Sequence, residues 1–136
     1  MTRPANHWAF DLIGLPYERG ATGPHAFCCW GLVQHVFCTR WGIQMPYVAI
    51  DDPIDQTAAI KRAADTSGWA PSGDRQPRDG DIVLMRSLLG PHVGVMIEAD
   101  GRLLLLHSVE GTGVSAVPLA DALASGLSGP VFWRRA

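Results

Sequence analysis

The stretch PHVGVMIEADGRLLLLHSV, residues 91–109, decides how this chain folds. Two short apolar runs flank Asp100-Gly101, and Asp-Gly between such runs is a strong signal for a tight β-hairpin. A turn at Asp100-Gly101 sets Ala99 opposite Arg102, and the same register sets Gly94 opposite His107. Alternate side chains of a strand share a face. His92, Gly94 and Met96 therefore point one way, and Val93, Val95 and Ile97 the other. Cross-strand partners share a face too, so His92 and His107 become diagonal neighbours roughly 7–8 Å apart. A slip of one residue would send them to opposite faces. Gly94, between them, is expected to leave space above the sheet for the end of a helix.

Outward from this hairpin the strand pattern continues. DIVLMR (81–86), GVSAVPL (113–119) and PVFWRR (130–135) are further short apolar runs, and LADALAS (119–125) suits a short helix. Upstream the period changes. Cys29, Leu32, Val33, Val36, Phe37 and Arg40 recur at three- and four-residue steps, which predicts a helix stopped by Gly42. A second helix is expected from Asp52 as cap, through Pro53 at its first position, to Gly68. Asn6 is placed to cap a short first helix carrying Trp8, Leu12 and Ile13. Pro16–Phe27 and Trp69–Gly80 are rich in Gly and Pro and are expected to be loops. Helices first and an antiparallel meander after them predict an α+β fold, with N-terminal helices packed on one side of a central antiparallel sheet. At 136 residues the chain is expected to be a single domain, residues 1–136.

Composition excludes several classes of function. Hydrophobic residues make up 47% and charged residues 18%, the balance of a folded globule. A net charge of −2 without a basic block argues against nucleic-acid binding. No apolar run is long enough for membrane insertion, the longest stretch of leucines being 103–106. The N-terminus lacks the apolar core of a secretory signal, so synthesis in the cytoplasm is expected. Three cysteines without a Cys-x-x-Cys pair suggest free thiols, neither a disulfide framework nor a structural zinc site. Cys28 and His35 share a helix face but are too few ligands for a metal. No cofactor is expected.

The thiols carry the chemistry. Cys28 and Cys29 stand side by side in FCCWGLVQHVF (27–37), where a helix begins. Unpaired backbone N–H groups and the positive end of the helix dipole favour a thiolate there and are expected to lower its pKa. A nucleophilic thiol still needs a base, and the hairpin offers His92 with His107 to orient it. A cysteine borne on a helix and a histidine borne on a sheet form the papain-type layout.

With these residues in place, the chain resembles the NlpC-type cell-wall peptidases, a papain-like family, and most closely their phage-tail branch. The resemblance rests on Pro16-Tyr17 in a glycine-rich loop, CCWGLV (28–33) opening a helix, Gly80-Asp81 before a strand, HVGVMI from His92, and His107 one strand later. It implies Cys29 as nucleophile, His92 as base and His107 as the orienting residue of a cysteine endopeptidase. It further implies Tyr17 as a substrate-binding residue. Beside the nucleophile, Cys28 is expected to be structural or part of the site wall, and Trp30 to cover the cleft or pack on the glycine-rich loop. The implied substrate is a peptidoglycan stem peptide, cut between D-γ-glutamate and the diamino acid. Other phage-tail proteins would be partners, and the protein would be associated with a virion or tail. One departure stands out: the family usually has Asp where this chain has Cys28, and a thiol is a poor substitute for a carboxylate that contacts an amine.

Two other functions fit the same residues. A catalytically silent tail-assembly or tail-tip module would keep the fold and lose the chemistry. A thiol acyltransferase or deamidase would use the same nucleophile with a different acceptor. Cys38, Trp8, Trp41, Trp69 and Trp133 are expected to be packing residues, and Asp81 a turn residue fixing the start of a strand.

Overall fold

A computed structural model describes residues 7–45, 58, 61, 62, 65, 68–88 and 90–135, and in it the hairpin has the expected register. Ala99 pairs with Arg102, and the ladder runs to Val95 opposite Leu106. Asp100 and Gly101 both take positive φ, 52° and 74°, as a two-residue turn of this kind requires. Around it stand β1 (Trp69–Pro71), β2 (Ile82–Ser87), β3 (Gly90–Ala99), β4 (Arg102–Val109), β5 (Gly113–Val117) and β6 (Ser128–Arg135). They form one antiparallel sheet in the order β1-β6-β2-β3-β4-β5. Strands β2 to β5 are the expected meander. β6 returns to the far side of β2, and Trp69–Pro71, expected as loop, pairs with it as an edge strand.

Helix α1 (Cys29–Trp41) ends at Gly42 in the left-handed conformation, φ 67°. Its apolar stripe of Leu32, Val33, Val36 and Phe37 is buried with Ile82, Leu84, Val93, Val95, Ile97, Leu106 and Trp133. Intervening strand residues face the other way. Val83, Met85, Met96, Leu105 and Phe132 pack with Ala122 of α2 (Leu119–Ala124). Both faces of the sheet are thus apolar and covered: the N-terminal helix α1 packs on one face, as expected, and the short C-terminal helix α2 on the other. Doubly covered strands read as continuous apolar runs, and the run Ile82–Met85 is one.

The first helix is a short 3-10 turn, Trp8–Asp11, capped by His7, whose Nδ1 accepts from Ala9 N at 3.1 Å. Asn6, the expected cap, lies outside the described residues, as does most of the helix expected from Asp52. Asp81 holds the start of β2 in place. It is 1% exposed, accepts the Arg78 N–H, and takes a two-pronged bond from Arg134 Nε and Nη2, each at 2.8 Å. Its backbone carbonyl receives Met96 N from β3. Trp69 and Trp133 are core residues as expected, whereas Trp41 is 40% exposed.

Candidate active site

The site forms where the β3–β4 ladder ends. The β3–β4 ladder stops at Val95 opposite Leu106, yet β3 stays paired with β2 down to Gly90, and β4 with β5 up to Val109. Beyond Leu106 the paired register ends, although β4 still lies close against Gly94. Met96 directs both its N–H and its carbonyl to the β2 side. Alternation then points the Val93 N–H toward β4, where the ladder has ended. The Val93 N–H is one of the backbone groups that favour the Cys29 thiolate.

Each neighbouring segment is tied down. Phe27 N donates to the Pro16 carbonyl at 3.0 Å, and the Phe27 carbonyl receives Glu18 N and, at 2.7 Å, the buried Ser108 hydroxyl of β4. These bonds pin the Tyr17 loop to the residue before the thiol pair. Cys28 N donates to the Ala21 carbonyl at 2.9 Å. A Cβ at Gly31 would run into that same carbonyl oxygen, so glycine lets the first helical turn lie against the loop.

His92 and His107 share the sheet face of Met96 and Leu105, as the hairpin register requires. Their rings stand nearly edge to face, centroids 5.1 Å apart, and His92 Nε2 lies 2.8 Å from His107 Nδ1. Gly94 permits this approach in a way the sequence did not suggest. A Cβ there would come within 2.8 Å of the Leu106 carbonyl oxygen and 3.1 Å of His107 Cβ, so the glycine makes room for β4 and not for a helix end.

Cys29, His92 and His107 open onto one cleft of about 370 Å³, which Tyr17, Arg19, Ser87, Ser108, Glu110 and Ser125 also line. Of the six residues expected in the site, four are therefore here: Cys29, His92, His107 and Tyr17. Cys28 and Trp30 do not line the cleft. Cys28 is 2% exposed and caps α1, its Sγ accepting from Gly31 N at 3.2 Å, while Trp30 is 1% exposed in the core. Successive helical residues turn by about a third of a circle, so only one of three neighbours can face a given wall. Arg19, Glu110 and the serines escaped the sequence reading because no periodicity marks a loop or strand-end residue as lining a cleft.

Electrostatics corrects a second expectation. Burial pushes the Cys29 thiol up to about 11, with the neighbouring Cys28 adding to the shift and the Val93 and Trp30 N–H groups opposing it. Desolvation at this helix start outweighs its favourable dipole. Burial also pulls His92 down to about 3, helped by His107, and His107 down to about 4. At neutral pH the resting site thus holds a neutral thiol and two neutral imidazoles. Burial raises Tyr17 as well, with smaller contributions from Cys29, Cys28 and Glu110, so its phenol stays a hydrogen-bond donor. Among the described residues no group of three or more His, Cys, Asp or Glu is arranged to hold a metal ion.

The model of the NlpC/P60 family matches residues 14–128. Among solved structures, the NlpC/p60 domain of the peptidoglycan hydrolase SagA shares 19% identity over 94% of this chain and 92% of its own, with a TM-score of 0.61. An N-acetylmuramoyl-L-alanine amidase from Bacteroides uniformis ATCC 8492 shares 16% identity over 93% of this chain and 94% of its own, with a TM-score of 0.49. No curated protein matches the chain.

Proposed function

Because the chain belongs to the NlpC/P60 family, we propose that it is a cysteine endopeptidase that cuts peptidoglycan stem peptides between D-γ-glutamate and the diamino acid. The observation that carries this reading is the 2.8 Å contact of His92 Nε2 with His107 Nδ1 in the cleft that also exposes Cys29. That contact occupies Nε2 of His92 and leaves Nδ1 as its other basic nitrogen.

In the proposed reaction Cys29 gives its proton to His92 Nδ1 as its sulfur attacks the amide carbonyl. His92 Nε2–H donates to His107 Nδ1, which fixes the tautomer and ring plane and disperses the imidazolium charge. The imidazolium then protonates the leaving amine, and water, with His92 again as base, hydrolyses the thioester. Tyr17, a protonated phenol on the wall, donates a hydrogen bond to the bound peptide. His107 is neutral, so it orients the base but stabilises the imidazolium less than a carboxylate would.

Isolated muropeptides are the test. The purified protein should release fragments with a new free amine on the diamino acid, and Cys29→Ala should release none while still folding. No fragments from any muropeptide set would overturn the reading. Added amines that appear in the product would redirect it to acyl transfer. The order of motifs from Pro16-Tyr17 to His107 supports a phage-tail setting, tested by whether the protein copurifies with tail particles.

A further inference from the structure

We propose that a second pocket, at the far end of α1 between Trp8, Arg40, Trp41, Asp79 and Glu98, binds a neutral saccharide. It shares no residue with the cleft around Cys29. In a peptidoglycan hydrolase that saccharide is the glycan to which the stem peptides are attached, so the pocket anchors the polymer while the cleft cuts it. The anchoring role rests on the peptide reading above; the binding itself does not.

The pocket has a volume of about 330 Å³, within the range of small-molecule sites. It is built from the Trp8–Asp11 turn, the last two residues of α1, the loop before β2 with Asp79, and β3 with Glu98. His7 ties two of these together. Its Nδ1 accepts from Ala9 N and its Nε2–H donates to the Glu98 carbonyl at 2.9 Å, so both ring nitrogens are committed. Asp79 is fixed as well, its Oδ1 accepting Glu98 N at 2.7 Å. No ion pair of the described residues involves Arg40, Asp79 or Glu98. The Arg40 guanidinium instead lies 5.5 Å from the centre of the Trp8 ring, a cation–π contact that leaves its N–H donors without a carboxylate. Trp8 meets Trp41 edge to face, centroids 6.1 Å apart, and Trp41 stays 40% exposed. Such a wall selects its ligand. A cation would meet the guanidinium, and an anion two carboxylates. A sugar hydroxyl both donates and accepts, so a neutral saccharide can use the guanidinium, which only donates, and the carboxylates, which only accept. The C–H face of a pyranose also suits an exposed indole. Cys29 opens α1 and Trp41 closes it, so about 18 Å of helix separates thiol and pocket. The polar side chains are exposed, so binding is weak alone and gains by acting together with the cleft on one polymer.

NMR titration of the full chain with triacetylchitotriose and with maltotriose is the test. Binding should shift the Trp8 and Trp41 indole N–H and the Arg40 Nε–H signals while the His92 and His107 ring signals stay in place. Arg40→Lys keeps the charge but loses the planar fork of donors, and Glu98→Gln keeps the shape but loses the charge. Each should weaken binding about three- to ten-fold. Affinity should hold in about 0.5 M salt, because the ligand is neutral. No shift with either saccharide overturns the assignment, as do shifts confined to the cleft. Shifts caused by calcium chloride and by neither saccharide would make the pocket a cation site and overturn it too. Anchoring is read by comparing substrates: Arg40→Lys should raise KM on intact peptidoglycan and leave hydrolysis of an isolated stem peptide unchanged. An equal effect on both substrates, or none on either, overturns the anchoring role. If wild type hydrolyses neither, the peptide reading falls while the saccharide site stands on the titration.

Discussion

His92 Nε2 and His107 Nδ1 are 2.8 Å apart, within hydrogen-bonding distance. The rings lean together across Gly94, which has no Cβ to hold them apart. Two neutral imidazoles at this distance share one proton donor. For His92 to act as base through Nδ1, Nε2 must carry the hydrogen and His107 must accept it.

That tautomer predicts a graded set of variants. His92→Ala should lower kcat/KM by on the order of 10²–10⁴-fold, as expected when a general base is removed. His107→Ala should cost less, since the base remains but rotates freely. His107→Asn should recover part of that loss, because its amide oxygen can still accept from Nε2–H. Steady-state hydrolysis of a stem peptide checks the order. If His107→Asn were no better than His107→Ala, the accepting role of Nδ1 would be wrong.

Stability should fall in acid, and earlier than carboxylates alone would cause. Both histidines have folded pKa values, about 3 and about 4, below the ordinary 6.5. Between 6.5 and those values the unfolded chain binds more protons, so stability is present above 6.5 and is lost as pH falls. Each histidine contributes a slope of about 1.4 kcal/mol per pH unit within its window. Urea unfolding midpoints at pH 7, 5.5 and 4.5 measure this, and replacing both histidines by Gln should flatten the curve between pH 6.5 and 4. Equal slopes in wild type and the double variant would show that the histidines are not held neutral.

Much of this site was legible because its signals are local. Asp100-Gly101 fixed the hairpin register, hence the shared face of His92 and His107, and Gly42 marked the end of α1 by its left-handed backbone. What stayed hidden depends on distant partners. Trp69–Pro71 becomes a strand only because β6, some 60 residues later, lies beside it. The end of the β3–β4 ladder at Val95 and Leu106 leaves no trace in either strand's pattern. Burial of the thiol is likewise a tertiary property, so a sequence rule for helix-start cysteines gave the wrong direction for its pKa. Cys28 looked like a lost carboxylate on the wall; in the fold its sulfur is a helix cap.

Thiol labelling should separate Cys29 from a preformed ion pair. With the thiol near 11 and His92 near 3, the proton stays on sulfur until a substrate arrives. Iodoacetamide at pH 7 should therefore modify the exposed Cys38 first, and Cys29 labelling should climb with pH toward 11. Peptide mapping by mass spectrometry reads both sites. A fast plateau of Cys29 labelling between pH 5 and 8 would instead mean a resting thiolate–imidazolium pair.

The bond network of Asp81 should govern stability and leave chemistry almost untouched. Its carboxylate is 1% exposed and depends on Arg134 for two hydrogen bonds and on the Arg78 N–H for a third. Arg134→Ala strands the buried Asp81 carboxylate and should clearly lower stability. Arg134→Lys should recover only part of this, since an ammonium cannot reproduce the two-pronged geometry. Asp81→Asn removes the stranded charge, so in the Arg134→Ala background it should restore stability. Because Asp81 and Arg134 sit outside the cleft, kcat at 25 °C should change by less than about two-fold in any of these that remain folded. Chemical denaturation and stem-peptide hydrolysis on the same samples measure the two effects, and a large fall in kcat with unchanged stability would place Asp81 in the reaction after all.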